Sequence, residues 1–353
     1  MSAGSTGGTG STARIEVLGA GIVGLAVADE LCRRGHDVRV VDPAPARGAS
    51  WAAAGMLSPA AEVSHDEPAL LDLGHRSQAL WPGWAARLGL ATSTTGTLLV
   101  GRDAADLQEV DRQVALVRRL GGRVEELDAR GIRDLEPGLA GRVLGGALLP
   151  DDHSIDPRLV LAALLERVPV QPEPVPPGWA EVTVLATGST PPAAYVDRAG
   201  LPPGLVRGVR GEVLRARTDD PPGRTVRGWA RGRAVYVVPR AGGEVVVGAT
   251  SEEHDAPPVV TLGGLHALLE AARELLPGLD RAELVEALAR DRPGTVDGLP
   301  LVGPTRDPAL VMATGHFRHG VLLAPLTAEL VADHLDTGRV DPATDPRRLL
   351  ETR

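Results

Sequence analysis

The residues IEVLGAGIVGLAVADELCRRGHDVRVVD, Ile15 to Asp42, leave few folds open to this chain. Ile15, Val17 and Leu18 favour a strand, and the chain then turns through Gly19-Ala20-Gly21. Apolar residues follow at helical spacing: Ile22, Leu25, Ala26, Ala28, Leu31 and Cys32. Asp29, Glu30, Arg33 and Arg34 fall where they can face water, and Gly35 sits where a left-handed helix stop belongs. Val38, Val40 and Val41 form a second buried strand that ends in Asp42.

Each glycine of this G-x-G-x-x-G pattern has its own physical task. Gly19 permits a tight turn, Gly21 lets a pyrophosphate approach the backbone, and Gly24 lets helix and strand pack closely. The helix opened by Ile22 and Val23 offers unpaired N–H groups and a positive dipole end to that pyrophosphate. Asp42, 18 residues beyond Gly24, is placed to accept hydrogen bonds from an adenosine ribose. The stretch therefore predicts an adenine dinucleotide. Alone, it leaves open FAD, a nicotinamide, or a βαβ unit whose glycines serve only packing.

The 353 residues suffice for about two domains. They are 43% hydrophobic but only 2% aromatic, so the cores must be built from Ala, Val and Leu. All 37 basic residues are Arg, which removes Schiff-base and lysine-linked cofactor chemistry. A net charge of −9 argues against nucleic acid or an anionic membrane as partner. The single cysteine, Cys32, excludes a disulfide framework and reads as a small buried residue of the first helix. The Gly/Ser/Thr-rich start reads as a flexible tail over 1–13, with no signal peptide and no membrane span anywhere, and cytoplasmic placement is expected.

Residues 43–62 are small and nearly uncharged after Arg47, a composition that suits a tight helix start or backbone laid against a flat ligand. Helices are predicted over 67–90, 103–120, 157–168, 263–275 and 321–335, and strands at 97–100, 147–150, 181–188 and 310–313. Residues 169–178, PVQPEPVPPG, can be neither helix nor central strand. Three strands are expected between 205 and 250, the last two joined at Arg240-Ala241-Gly242-Gly243 as a hairpin. His316 and His319, three apart, could be metal ligands or bases. With no further ligand cluster beside them, they read as cofactor neighbours or structural donors, and no metal is predicted.

Four stretches in order, GAGIVGLAVADELCRRGHDVRVVD, GASWAAAGMLSP, YVVPRAGGEVVVGATSEE and RPGTVDGLPLVG…ATGHFRHGVLLAP, resemble the D-amino-acid-oxidase-type FAD-dependent oxidoreductases, above all their glycine-oxidase branch. The similarity covers nearly all of 14–340. It implies FAD and an α/β fold: a Rossmann-like FAD-binding domain (14–85, 145–195 and 290–340) with a second, mixed-sheet substrate domain (86–144 and 196–289), then a tail at 341–353. Along the flavin it implies Ser50, Trp51, Ala53, Ala54, Gly55 and Met56, with Ala186, Thr187 and Gly188 also at the cofactor. Gly315, His316, Phe317, Arg318, His319, Gly320, Val321 and Leu322 are similarly implied at the flavin's pyrimidine edge. A helix starting near Gly320 would turn its positive end to that edge. Tyr236, Arg292 and Arg318 are the implied substrate residues, because an amino-acid carboxylate suits a guanidinium and a hydroxyl donor.

The implied chemistry is hydride transfer from a small amino acid, with O2 as acceptor and H2O2 as product, and with the flavin rather than a protein acid or base doing the hard step. The imine would hydrolyse or pass to thiazole assembly for thiamine, a link to thiazole synthase. A D-amino-acid or sarcosine oxidase or dehydrogenase, or a flavin-poor nucleotide-binding protein, remain open, as does a homo-oligomer. Relatives carry a hairpin where this chain has only 169–178, so weaker cover of the adenine end is expected. They also carry an aromatic residue before RPGT, absent from EALARDRPGT, and a larger residue at the position of Ser251. These differences predict a wider pocket.

Overall fold

The computed structural model describes residues 12–62, 68–254 and 256–350. β1 (Arg14–Leu18), α1 (Ile22–Arg33) and β2 (Asp37–Val41) form the strand–helix–strand unit of the opening sequence. β1 and β2 pair in parallel, Arg14 opposite Asp37 through Leu18 opposite Val41. The turn between β1 and α1 needs Gly19 at φ +102, where a Cβ would stand 2.4 Å from the Ala186 carbonyl oxygen.

The surroundings of α1 differ from its amphipathic pattern. Asp29 and Glu30 do not face water: each is 4% exposed, and Arg33, Arg34, Arg87 and Arg167 close around them. The closing helix Gly320–Thr337 and the helix Pro157–Arg167 both pack on α1, so its polar side is covered as well. Acids survive in that seam because guanidiniums reach in to pair with them. Cys32 departs in the other direction. It lies in the last turn of α1, beyond these neighbours, and is exposed rather than buried.

Six strands make the first sheet, in the order Leu301–Pro304, Leu310–Thr314, Val182–Leu185, β1, β2 and Val170–Gln171. All pairs are parallel except the outermost, Leu301–Pro304 with Leu310–Thr314. The Pro-rich segment contributes only a two-residue edge strand, where missing N–H donors cost nothing. An apolar core beneath this sheet includes Ile15, Val17, Leu25, Leu31, Trp81 and Leu164.

The second sheet has eight strands: Glu283–Thr295, Val206–Arg217, Glu244–Gly248, Arg233–Pro239, Thr225–Ala230, Thr97–Gly101, Gly145–Leu149 and Glu125–Asp128. It is mixed, because Thr225–Ala230 runs parallel to Thr97–Gly101 while its other pairs are antiparallel. The helix Leu262–Leu275 covers it through Leu268, Ala271, Ala272 and Leu275. Gly145–Leu149 and Glu283–Thr295 both belong to this sheet. Residues 1–11, most of the expected N-terminal tail, lie outside the described residues, as do 351–353. The described part of 341–353 is packed: Thr344 is buried and exchanges hydrogen bonds with Val302. Among the described residues, no helix is long and apolar enough to cross a membrane.

Candidate cofactor and substrate site

A cavity of about 880 Å³ takes its walls from both sheets. Its wall includes Glu16, Pro172, Pro174 and Tyr195, then Gly19, Gly21, Asp42 and Ser50, and also Tyr236, Arg292 and Arg318. Part of it is made by the sequence that follows β1. Gly24 would carry a Cβ 1.9 Å from the Gly19 carbonyl oxygen, so it serves close packing. Gly21 faces the cavity, and its Cβ would meet only Ser50 Oγ at 3.2 Å. Asp42 is oriented by two backbone donors, the N–H of Ala20 at 2.7 Å and of Ala44 at 2.8 Å. A bare glycine cradle at a helix N-terminus, with a carboxylate at the end of β2, fits a dinucleotide.

The loop after β2 is held by its carbonyls. Arg290 donates to Arg47 O at 2.8 Å, Arg158 to Trp51 O at 3.1 Å, and Arg240 to Ala54 O. Burial pushes the Arg240 guanidinium down to about 10, which leaves it charged. Two of these arginines, Arg240 and Arg290, come from the eight-stranded sheet or its immediate edge. Ala53, Ala54, Gly55 and Met56 thereby present small surfaces to the cavity. Trp51 does not reach it, and instead lies under the Arg158 guanidinium at 3.9 Å. Ala186, Thr187 and Gly188 line the wall, fixed by Thr314 Oγ1 donating to Gly188 O at 2.7 Å.

Arg292 extends across Gly211, whose missing Cβ would fall 2.2 Å from Nη1. Nη1 donates to Thr250 O at 3.2 Å, and no carboxylate among the described residues pairs with this guanidinium. Tyr236 similarly lies over Gly248, its register partner. Burial pushes the Tyr236 hydroxyl above the ordinary phenol range, against the pull of Arg292, Arg227 and Arg318, so it remains a donor. Arg318 reaches the cavity from the turn before the closing helix, with its guanidinium 5.0 Å from the Phe317 ring.

His316, Phe317, Gly320 and Val321 also line the cavity. Burial, with His319 adding to it, pushes His316 down to about 3, and its Nε2 meets Thr327 Oγ1 at 2.8 Å. It is therefore a neutral imidazole at working pH. Gly315, His319 and Leu322 stand behind the wall: Gly315 against Thr295, His319 with Nδ1 3.9 Å from Glu62, and Leu322 giving its carbonyl to Ser77 and Trp81. Ser251 is exposed and off the wall, where Thr250 stands instead.

Glu62, Arg227, Glu16 and Tyr195 also line the wall and were not expected there from the sequence. Glu62 and Arg227 form an ion pair of 3.0 Å, both largely buried. Glu16 and Tyr195 meet at 3.4 Å, and Pro172 and Pro174 show that the short connector itself supplies wall. A buried carboxyl in the middle of β1 is visible in the sequence as Glu16 among Ile15, Val17 and Leu18, and that interruption was the available clue.

A family model described as FAD dependent oxidoreductase matches residues 14–171 and 173–334. A bifunctional protein ThiO/ThiG of Trichormus variabilis is 32% identical over 94% of this chain, and the chain spans about half of that relative's length (54%). The glycine oxidase of Geobacillus kaustophilus is 32% identical over 90% of this chain and 92% of its own. The crystal structure of glycine oxidase from that organism superposes with a TM-score of 0.82 at 30% identity, over 95% of this chain and 97% of the other.

Proposed function

The chain belongs to the FAD dependent oxidoreductase family, and on that premise we propose that it oxidises glycine at its Cα–N bond, releasing H2O2 and an imine that serves thiazole assembly. It is an amino-acid oxidase with FAD as cofactor. The observation that carries the choice of an amino acid is Arg292, a guanidinium without a carboxylate partner among the described residues, on one cavity wall with the Tyr236 hydroxyl. The relative that joins ThiO to ThiG supports the link to thiazole formation.

When bound, FAD supplies the two-electron acceptor for the hydride that leaves Cα, and returns those electrons to O2. The chain's own residues do the rest. Gly21, carried by the tight turn at Gly19, would leave room for the pyrophosphate at the N-terminus of α1, and Asp42 would accept from the ribose. Ala53, Ala54 and Gly55 would give the flavin a wall of small side chains, with Met56 beside them. Arg292 and Tyr236 fix the substrate carboxylate, with Arg318 as a further cation, and so turn Cα toward the cofactor. His316, being neutral, adds no positive charge of its own to the site near pH 7. The helix Gly320–Thr337 brings a positive end to the cavity at Gly320, where it stabilises developing negative charge.

The test is a peroxide assay of FAD-reconstituted protein against glycine, sarcosine and D-alanine. Glycine is expected to be turned over with the highest kcat/KM. Preference for sarcosine or D-alanine would reassign the substrate, and a protein that cannot be made yellow would remove the oxidase reading.

A further inference from the structure

The cavity wall contains four acids among the described residues: Glu16, Asp42, Glu62 and Asp291. Glu16 and Asp42 belong to the strand–helix–strand unit, where Glu16 meets Tyr195 and Thr183 and Asp42 meets backbone N–H groups. Asp291 is gripped by Arg210 through both oxygens, at 2.5 and 3.3 Å. Glu62 is the acid left for the substrate end. Its position there follows from Arg227, which holds it at 3.0 Å and lies directly opposite Tyr236 across paired strands. His319 Nδ1 stands 3.9 Å from the other carboxylate oxygen.

This end therefore sets one carboxylate among three guanidiniums, those of Arg227, Arg292 and Arg318. The cations answer a substrate carboxylate. An α-amino acid also brings nitrogen, which is cationic as the free zwitterion. It becomes cationic again when its lone pair forms the C=N bond while the hydride departs with two electrons to FAD. A carboxylate close to that nitrogen is stabilising in both states and strongest where charge develops. Building on the amino-acid oxidase reading above, we propose that Glu62, oriented by Arg227, is the counter-charge of the substrate nitrogen and makes the site select amino acids over 2-hydroxy acids.

The pair glycine and glycolate isolates this role, since they share a carboxylate and differ in nitrogen against oxygen. In yellow Glu62→Gln protein with full FAD content, the glycine KM is expected to rise at least tenfold and kcat to fall. Glycolate affinity, read from the flavin absorbance, should stay the same or tighten, because Arg227 is then unpaired. Glu62→Asp should recover part of the loss. If Glu62→Gln does not hold FAD, the charge-balanced Glu62→Gln/Arg227→Gln protein takes its place with the same expectation for glycine. Unchanged glycine kinetics, or equal loss of glycine and glycolate, overturns the proposal. Calorimetry on chemically reduced, oxygen-free holoenzyme, which cannot oxidise its ligand, keeps the two readings apart. A wild-type protein that oxidises no amine sinks the oxidase reading, while loss of glycine binding alone in Glu62→Gln still supports the role of Glu62, and equal binding rejects it.

Discussion

Ser50 Oγ accepts the Ile22 N–H at 3.0 Å, binding the first turn of α1 to the small-residue loop 28 positions later. One of the free donors of the helix end is thereby occupied by the protein, and the bare backbone at Gly21 is left facing the cavity.

Gly21 and Gly24 should therefore fail in different ways. Gly21→Val puts its methyl groups into the cavity beside Ser50 and is expected to yield folded, colourless protein that FAD does not restore. Gly24→Ala drives a Cβ to 1.9 Å from the Gly19 carbonyl oxygen and is expected to cost solubility or Tm before cofactor binding can be asked. Circular dichroism and the visible spectrum, taken together, distinguish the outcomes; a yellow Gly21→Val protein contradicts the pyrophosphate assignment.

Arg292→Ala is expected to raise the glycine KM at least tenfold with FAD retained. A hydrogen bond to a charged group is worth about 1.5–3 kcal/mol, which corresponds to roughly 10- to 160-fold. Unchanged KM in steady-state kinetics would refute the carboxylate clamp.

Asp152 gives a pH test of stability. Burial pushes its carboxyl up to about 7, with Thr97, Ser58 and Arg227 pulling the other way and Glu62 adding to the rise. A carboxyl whose folded pKa exceeds its unfolded value contributes full stability at low pH and loses it as pH climbs through the folded value. Wild-type Tm should thus decline between pH 4 and pH 8 more steeply than that of Asp152→Asn. Parallel melting profiles for the two proteins across that range would show that Asp152 is not the buried acid responsible.

Arg240 is the partly buried strap on Ala54. Arg240→Met keeps most of the side-chain volume but leaves the Ala54 carbonyl without its donor. The expected result is weaker FAD retention on dilution or dialysis, at least tenfold in Kd, with the far-ultraviolet spectrum preserved. Equal FAD affinity in a fluorescence titration would assign the strap to general stability alone.

What the sequence made legible was local. The Gly19–Gly24 turn and the strands around it depend on backbone geometry within a few residues, so their signal is written in consecutive letters. Arg292 and Tyr236 were visible through the RPGT and YVVPR stretches and do stand on the cavity wall. Glu62 and Arg227 were not, because their pairing joins residues 165 positions apart and neither has a distinctive neighbourhood. Asp29 and Glu30 were read as solvated because helical periodicity says which residues share a face, not whether a second layer covers it. The strand Gly145–Leu149 pairs with Thr97–Gly101 and Glu125–Asp128, and its own residues do not say which partners it takes.

The arginine straps on the loop after β2 also set an order of events during synthesis. Arg47, Trp51 and Ala54 leave the ribosome early, but their donors Arg158, Arg240 and Arg290 follow much later, the last 243 residues behind its acceptor. A nascent chain that has completed only its glycine turn owns half a binding groove. Because Arg290 lies on the strand Glu283–Thr295, the loop gains its full set of straps only after that strand has been made.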